Sequence, residues 1–206
     1  MEKEKTTAEG DNRGGDALRA DLNDALAALR AGGVVVYPTD TVWGIGCDAT
    51  NSEAVRRIFE IKRRADSKAL ISLVADEPML DRWVDDVPEA AWQLIDASAG
   101  VQPMTIVYDH PRGLAPELLA ADGSAAIRIV GAGFAQRLCR MLRCPLVSTS
   151  ANRSGDATPA TFADIDPEIL AAADYVAMTG RDDKTPHTPS SVVKISDGGV
   201  IKILRP

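Results

Sequence analysis

The stretch Val34-Val35-Val36-Tyr37-Pro38-Thr39-Asp40-Thr41-Val42-Trp43-Gly44-Ile45-Gly46-Cys47-Asp48 holds the plan of the chain in miniature. Its first four residues are apolar and mostly β-branched, which suits a short buried strand. Pro38 ends that strand because it has no N–H to give to a ladder. Beyond Pro38 the segment turns polar: hydroxyls, one carboxylate and two glycines gather where a buried strand stops. A loop of this kind lets a small ligand meet hydroxyl and backbone donors.

Upstream, Leu18, Leu22, Ala25, Leu26 and Leu29 recur at three-to-four spacing, so a helix is predicted from Asp16 to Ala31. Gly32-Gly33 supplies its stop. Downstream, Thr50 and Glu53 have the spacing of a capping box, opening a helix that turns Val55, Ile58 and Phe59 inward and runs to about Arg63. Residues 69–75 read as a buried strand. Residues 76–98 read as two acidic helical pieces around Pro88. Strands are predicted at Met104–Tyr108, Ala125–Val130, Pro145–Thr149 and Tyr175–Met178, with a helix at Phe134–Leu142. Ser191–Ile195 and Val200–Leu204 flank Asp197-Gly198-Gly199, a hairpin signal. Strands and helices are interspersed, yet several strands follow one another with no helix between them. The pattern predicts a single α/β domain with a twisted mixed sheet flanked by helices. Residues 1–15 are polar and are expected to form a flexible tail ahead of a domain spanning 16–206.

The chain has 206 residues and a formal net charge of -7. That acidity argues against a protein that coats nucleic acid nonspecifically, because such affinity comes from many Lys/Arg–phosphate contacts. No apolar run is long enough for a membrane span, and the N-terminus lacks the apolar core of a secretory signal. The cysteines Cys47, Cys139 and Cys144 have neither the number nor the spacing of a disulfide or zinc framework, so reduced thiols and a cytoplasmic location are expected. No side-chain cluster for a metal is evident. GxGxxG and Walker motifs are missing, so a standard dinucleotide or P-loop site is not expected.

Two further segments stand out. Arg56, Arg57, Lys62, Arg63, Arg64 and Lys68 face only Glu60 and Asp66 within residues 56–68, a local positive excess in an acidic chain. It suggests a bound anion such as a polyphosphate. Strand Pro145-Leu146-Val147 then runs into Ser148-Thr149-Ser150-Ala151-Asn152-Arg153-Ser154-Gly155, rich in hydroxyls and amides. There is no GxSxG, so a nucleophilic serine is not indicated.

Taken together, PTDTVWGIGCD, KRRADSK and LVSTSANRSG resemble the signature segments of the YrdC-like threonylcarbamoyl-AMP synthases, in order and spacing, within a resemblance that spans roughly residues 18–206. The resemblance implies a fold built around a positively charged cavity. It implies an enzyme, a nucleotidyltransferase, that condenses L-threonine, bicarbonate and ATP, with Mg²⁺ accompanying the nucleotide, to threonylcarbamoyl-adenylate and pyrophosphate. The product serves modification of the tRNA adenosine next to the anticodon through a downstream tRNA threonylcarbamoyl transferase machinery, and tRNA itself is a further candidate partner. The family's Lys-x-Arg pair matches Lys62 and Arg64, and its Ser-x-Asn pair matches Ser150 and Asn152. These four are implied as catalytic and ATP-binding residues, joined at the nucleotide by Lys68, Ser124, Thr158 and Arg205. Arg128 matches the cation for the threonine carboxylate, with Thr41, Ser148 and Ser190 around it.

Two positions depart from the family pattern. Val101-Gln102-Pro103-Met104-Thr105 stands where Pro-Gly-Pro-x-Thr is usual, and Ala65 stands where a proline often follows the basic pair. Ending at Pro206, the chain looks like the short, single-domain form. Competing readings are an RNA-binding module using Arg137, Arg140 and Arg143, a carbamoyl-adenylate-forming domain like those of hydrogenase maturation proteins, and a degenerate nucleotide-binding paralog.

Overall fold

The computed structural model describes residues 5–63, 70–185, 188–196 and 200–205. In chain order the elements are α1 (Lys5–Arg30), β1 (Val35–Tyr37), β2 (Gly44–Gly46), α2 (Ser52–Ile61), β3 (Ile71–Val74), α3 (Glu77–Trp83), α4 (Glu89–Ser98), β4 (Met104–Tyr108), β5 (Ala125–Ile129), α5 (Phe134–Leu142), β6 (Leu146–Ser150), α6 (Pro167–Ala172), β7 (Tyr175–Val176), β8 (Ser191–Ile195) and β9 (Ile201–Arg205). Among the described residues the strands form one sheet in the order β7-β1-β2-β6-β3-β5-β4-β8-β9. β1 pairs parallel with β7, β3 with β5, and β4 with β8. The remaining neighbours run antiparallel. The predicted mixed α/β sheet is therefore present.

Helices cover the sheet through the predicted stripes. Leu22, Ala25, Leu26 and Leu29 of α1 are buried, as are Val55, Ile58 and Phe59 of α2 and Leu138 of α5. Each fully buried leucine, isoleucine, valine or phenylalanine contributes roughly 1.5–3 kcal/mol. α1 lies on α5 and β7, and Gly32 takes a φ of +80° to turn the chain out of α1.

Several local expectations are corrected. Residues 5–15, expected as a tail, continue α1, since each residue added to an existing helix gains a backbone bond at little nucleation cost. The cap of α2 is Asn51, whose Oδ1 accepts from Ala54 N at 3.1 Å, because the Thr50 hydroxyl is spent on Asp48 Oδ1 at 2.7 Å. β2 and α6 are additions to the predicted elements: β2 is only Gly-Ile-Gly, and glycine is depleted in strands generally. The hairpin residues Asp197-Gly198-Gly199 lie outside the described residues.

The glycines of β2 answer to sterics. A Cβ on Gly46 would stand 1.7 Å from the Val147 carbonyl oxygen and 2.9 Å from Tyr37 Oη. That oxygen accepts from Tyr37 Oη at 2.8 Å. Burial pushes the Tyr37 hydroxyl far above its usual pKa, so it stays protonated as a donor. Beside the neighbouring edge strand β7, Asp21 of α1 is 5% exposed. It accepts from Tyr175 Oη at 2.8 Å, Met178 N at 3.0 Å, and Thr179 N and Oγ1 at 2.6 Å each. Burial opposes its charge, but these donors outweigh burial and hold the carboxyl below its ordinary range. The Arg57 guanidinium does the same for Asp174, which also accepts from Val34 N.

Gly46→Ala is expected to destabilise the protein by about 3 kcal/mol in urea unfolding, the upper range for overpacking. Gly14→Ala, whose Cβ would meet nothing within 4 Å, gains roughly 0.5 kcal/mol. Depressed carboxyl pKa values mean that the folded state binds fewer protons than the unfolded chain as pH falls. The urea midpoint is therefore flat above the unfolded carboxyl value of about 4 and declines as pH drops through the lower folded values. Asp21→Asn lowers the midpoint at neutral pH and flattens the acid limb.

Candidate active site

The polar segments at the ends of β1 and β6 meet through the sheet. Gly44 of β2 pairs with Ser150 of β6, Ile71 of β3 with Ser148, and Leu73 with Arg128 of β5. This register lines a cavity of about 210 Å³ with Thr41, Gly44, Leu73, Arg128, Ser148, Ser150, Thr158, Ser190 and Arg205, among others. All four residues predicted for threonine (Thr41, Arg128, Ser148 and Ser190) are together there, and so are Ser150, Thr158 and Arg205 from the nucleotide set. A larger opening of about 620 Å³ lies beside α2 between Arg56, Arg63 and Glu117. It contains none of the predicted site residues, and its arginines are engaged with Glu117 and Glu168.

Arg128 carries the charge on the cavity floor. Its side chain is 3% exposed, so its solvation must come from protein or ligand. Nη1 donates to Asp40 Oδ1 and Oδ2 at 2.7 and 2.9 Å, and Nη2 reaches Thr41 Oγ1 at 3.4 Å. Nε is buried and makes no hydrogen bond. Thr41 is itself held by Thr39, whose Oγ1 accepts from Thr41 N and donates to Val42 O. Ser190 Oγ shares a 2.8 Å bond with Thr105, which is fully buried in β4. Arg205 of β9 donates to Ser190 O through Nε at 2.9 Å and Nη2 at 2.6 Å. Burial, together with the Arg128 charge, presses the Arg205 pKa down. Two cations face one small cavity, and an anion between them relieves that repulsion.

The remaining nucleotide residues stand apart. Lys62 is 2% exposed and lies behind the β6 loop, not among the cavity-lining residues. Its Nζ donates to Ser150 O and Asn152 O at 2.5 Å each, and its own carbonyl accepts from Ser154 N at 2.9 Å. Asn152 donates through Nδ2 to Asp156 O, while its buried Oδ1 makes no hydrogen bond. Ser124 precedes β5 and donates to Asp122 Oδ1, beside Lys194, whose Nζ is 3.3 Å from Ser124 Oγ. Arg64 and Lys68 lie outside the described residues.

The basic segment is thus not a free patch over its described part. Arg56 pairs with Glu117, Arg57 with Asp174 and Arg63 with Glu168. Sequence counting missed this because the acids come from distant elements. Thr105 was also missed as a site residue. Its signal was a hydroxyl at a buried position of an apolar strand, and Asp40 was noted without a role.

The chain resembles known proteins over most of its length. Residues 27–206 match the Sua5–YciO–YrdC family model, whose description is "Telomere recombination". A threonylcarbamoyl-AMP synthase of Stenotrophomonas maltophilia is 36% identical over 157 residues, covering 75% of this chain and 84% of that protein. One from Xanthomonas axonopodis pv. citri is 40% identical over 161 residues, with 76% and 84% covered. The structure of P. abyssi Sua5 complexed with L-threonine superposes with a TM-score of 0.77 at 25% identity, covering 90% of this chain and 53% of that one. The chain therefore spans about half the length of that Sua5. E. coli YciO superposes with a TM-score of 0.77 at 23% identity, a likeness of fold.

Lys62→Met removes a buried ammonium from two carbonyls. We expect a loss of about 2–3 kcal/mol in urea unfolding, together with weakened nucleotide binding as the β6 loop relaxes. Unchanged stability would show that the loop does not depend on this clamp. With the cavity, its residues and these matches in agreement, the chain belongs to the Sua5/YciO/YrdC family.

Proposed function

We infer that this chain is a threonylcarbamoyl-AMP synthase, a nucleotidyltransferase that condenses L-threonine, bicarbonate and ATP to threonylcarbamoyl-adenylate and pyrophosphate. The observation that carries the reading is one cavity holding Thr41, Arg128, Ser148 and Ser190 beside Ser150, Thr158 and Arg205. A buried guanidinium with unspent donors suits an amino-acid carboxylate. The surrounding hydroxyls suit its ammonium and side-chain hydroxyl, and Arg205 on the rim suits a phosphate.

The reaction asks for assembly. Bicarbonate takes up a proton and loses water to give CO2. The neutral threonine amine adds to that CO2 and gives up an N–H proton, which offsets the one taken up, leaving a carbamate. A carbamate oxygen attacks the α-phosphorus, the bond to the bridging oxygen breaks, and pyrophosphate leaves with that electron pair. The protein contributes positioning and charge stabilisation. Arg128 fixes the amino acid by its carboxylate, and Thr41 and Ser190 orient it. Lys62 shapes the Ser150–Asn152 loop from behind, while Arg64, Lys68, Ser124 and Arg205 serve the polyphosphate. The orphaned Asn152 Oδ1 is an acceptor and fits the hydration shell of a cation. Mg²⁺ bound with ATP would neutralise the charge that develops on the departing pyrophosphate.

The free cysteines Cys47, Cys139 and Cys144 suit a reducing cytoplasm. No described helix is long and apolar enough to cross a membrane. We place the working unit in residues 16–206 and its product in the hands of a downstream tRNA threonylcarbamoyl transferase machinery.

Purified protein with ATP should release pyrophosphate only when both threonine and bicarbonate are supplied. Nucleotide binding without such release points to the degenerate paralog. Arg128→Ala should raise the KM for threonine about a hundredfold, as loss of a buried charge-assisted contact would, with the KM for ATP little changed. An equal rise for both substrates would place Arg128 outside the amino-acid subsite.

A further inference from the structure

Asp40 does not line the cavity and has no part assigned in the chemistry, yet it is bonded to Arg128, which does line it. Its carboxylate takes both of its bonds to Arg128 through a single nitrogen, Nη1. It also accepts from Gly131 N at 2.8 Å. Gly131 follows β5 at the strand end that carries Arg128. A Cβ there would come within 2.8 Å of Asp40 Oδ2 and 3.2 Å of Asp40 Cβ. The glycine leaves space for the carboxylate, and its amide fixes it.

The choice of nitrogen matters. A guanidinium offers two edges for bidentate bonding: one joins Nη1 with Nη2, and the other joins Nε with Nη2. Asp40 occupies Nη1, and Nε makes no hydrogen bond although it is buried. Nη2 makes one long contact, to Thr41 at 3.4 Å. The uncommitted donors are therefore gathered on the Nε/Nη2 edge, and Nη2 lies beside Thr41, which lines the cavity.

We propose that Asp40 is the positioning residue of the amino-acid subsite, holding the Nη1 side of Arg128 so that the opposite edge of the guanidinium is turned to the substrate carboxylate. Gly131 completes the device by seating Asp40. The proposal rests on the synthase reading for the identity of the amino acid.

Orientation and simple charge make opposite forecasts. Asp40 is negative and close to where a carboxylate binds. If only Coulomb attraction mattered, its removal would tighten threonine binding. If Asp40 orients Arg128, its removal weakens threonine binding despite the lost repulsion.

The test compares wild type with Asp40→Asn, which keeps shape and loses charge, and with Gly131→Ala, which keeps both charged groups and crowds the carboxylate. Pyrophosphate release gives KM and kcat for threonine, threonine amide and ATP, and calorimetric titration of threonine reads binding without turnover. Asp40→Asn should raise the threonine KM and Kd roughly tenfold to a hundredfold, the worth of a misdirected charged hydrogen bond. The preference for threonine over its amide should shrink by a similar factor, and the ATP KM should stay within about twofold. Gly131→Ala should move the same quantities in the same direction by roughly threefold to tenfold, and it decides the matter if Asp40→Asn does not fold. Unchanged or tighter threonine binding in a folded variant overturns the proposal. So does an equal loss for threonine and its amide. Wild-type protein that binds threonine but releases no pyrophosphate would overturn the synthase reading while the binding arm still decides the role of Asp40.

Discussion

The carbonyl oxygen of Val147 is the point on which the site hangs. It lies near the start of β6, points at β2, and is bonded by the buried hydroxyl of Tyr37 from β1. Three strands converge on one atom, and they can do so only because Gly46 has no side chain. A Cβ would separate β2 from β6 and pull the hydroxyl away. The loop after β1 and the loop after β6 are brought side by side by that contact, and between them the cavity forms. A steric requirement of a few ångströms thus decides where the polar residues of two distant segments meet.

Around the cavity, most polar atoms are already spoken for by protein. Thr39 holds Thr41, Thr105 holds Ser190, Ser190 holds Arg205, and Lys62 holds the backbone at Ser150 and Asn152. These bonds leave particular atoms uncommitted: Nε of Arg128 and Oδ1 of Asn152 are buried without partners. A site preorganised in this way loses little freedom when it binds, which is where much of its affinity originates. Catalysis of an assembly reaction calls for the same economy, since the reactants supply the bonds and the protein supplies their placement.

The parts of this arrangement that were legible in the sequence share a physical cause. Helix stripes such as Leu22-Ala25-Leu26-Leu29 and apolar strands such as Val34–Tyr37 are local patterns, and burial keeps them. β2 escaped because Gly-Ile-Gly has poor strand propensity and is held by its neighbours. The start of α1 at Lys5 escaped because a polar stretch carries no apolar period to read. The site residues Thr41, Arg128, Ser148 and Ser190 were named through family resemblance, and the sheet brings them together. The basic run around Arg56–Lys62 was legible as charge but not as geometry. Its partners Glu117, Ser150, Asp174 and Glu168 come from segments far along the chain, and pairing across such distances leaves no local mark.

That pairing has a kinetic meaning. Arg56, Arg57, Arg63 and Arg128 are each matched to a carboxylate, while the chain as a whole remains at -7. Beyond a Debye length of about 10 Å an approaching anion meets little field, and inside that distance the acidic surface repels it mildly, so no funnel draws it in. Encounter with ATP is left to diffusion, and moderate salt eases it by screening the short-range repulsion, whereas threonine, a zwitterion without net charge, is little affected. Attraction begins only at contact, where the unspent donors lie. Polyanions with nothing more to offer than their charge find no long-range attraction to draw them in.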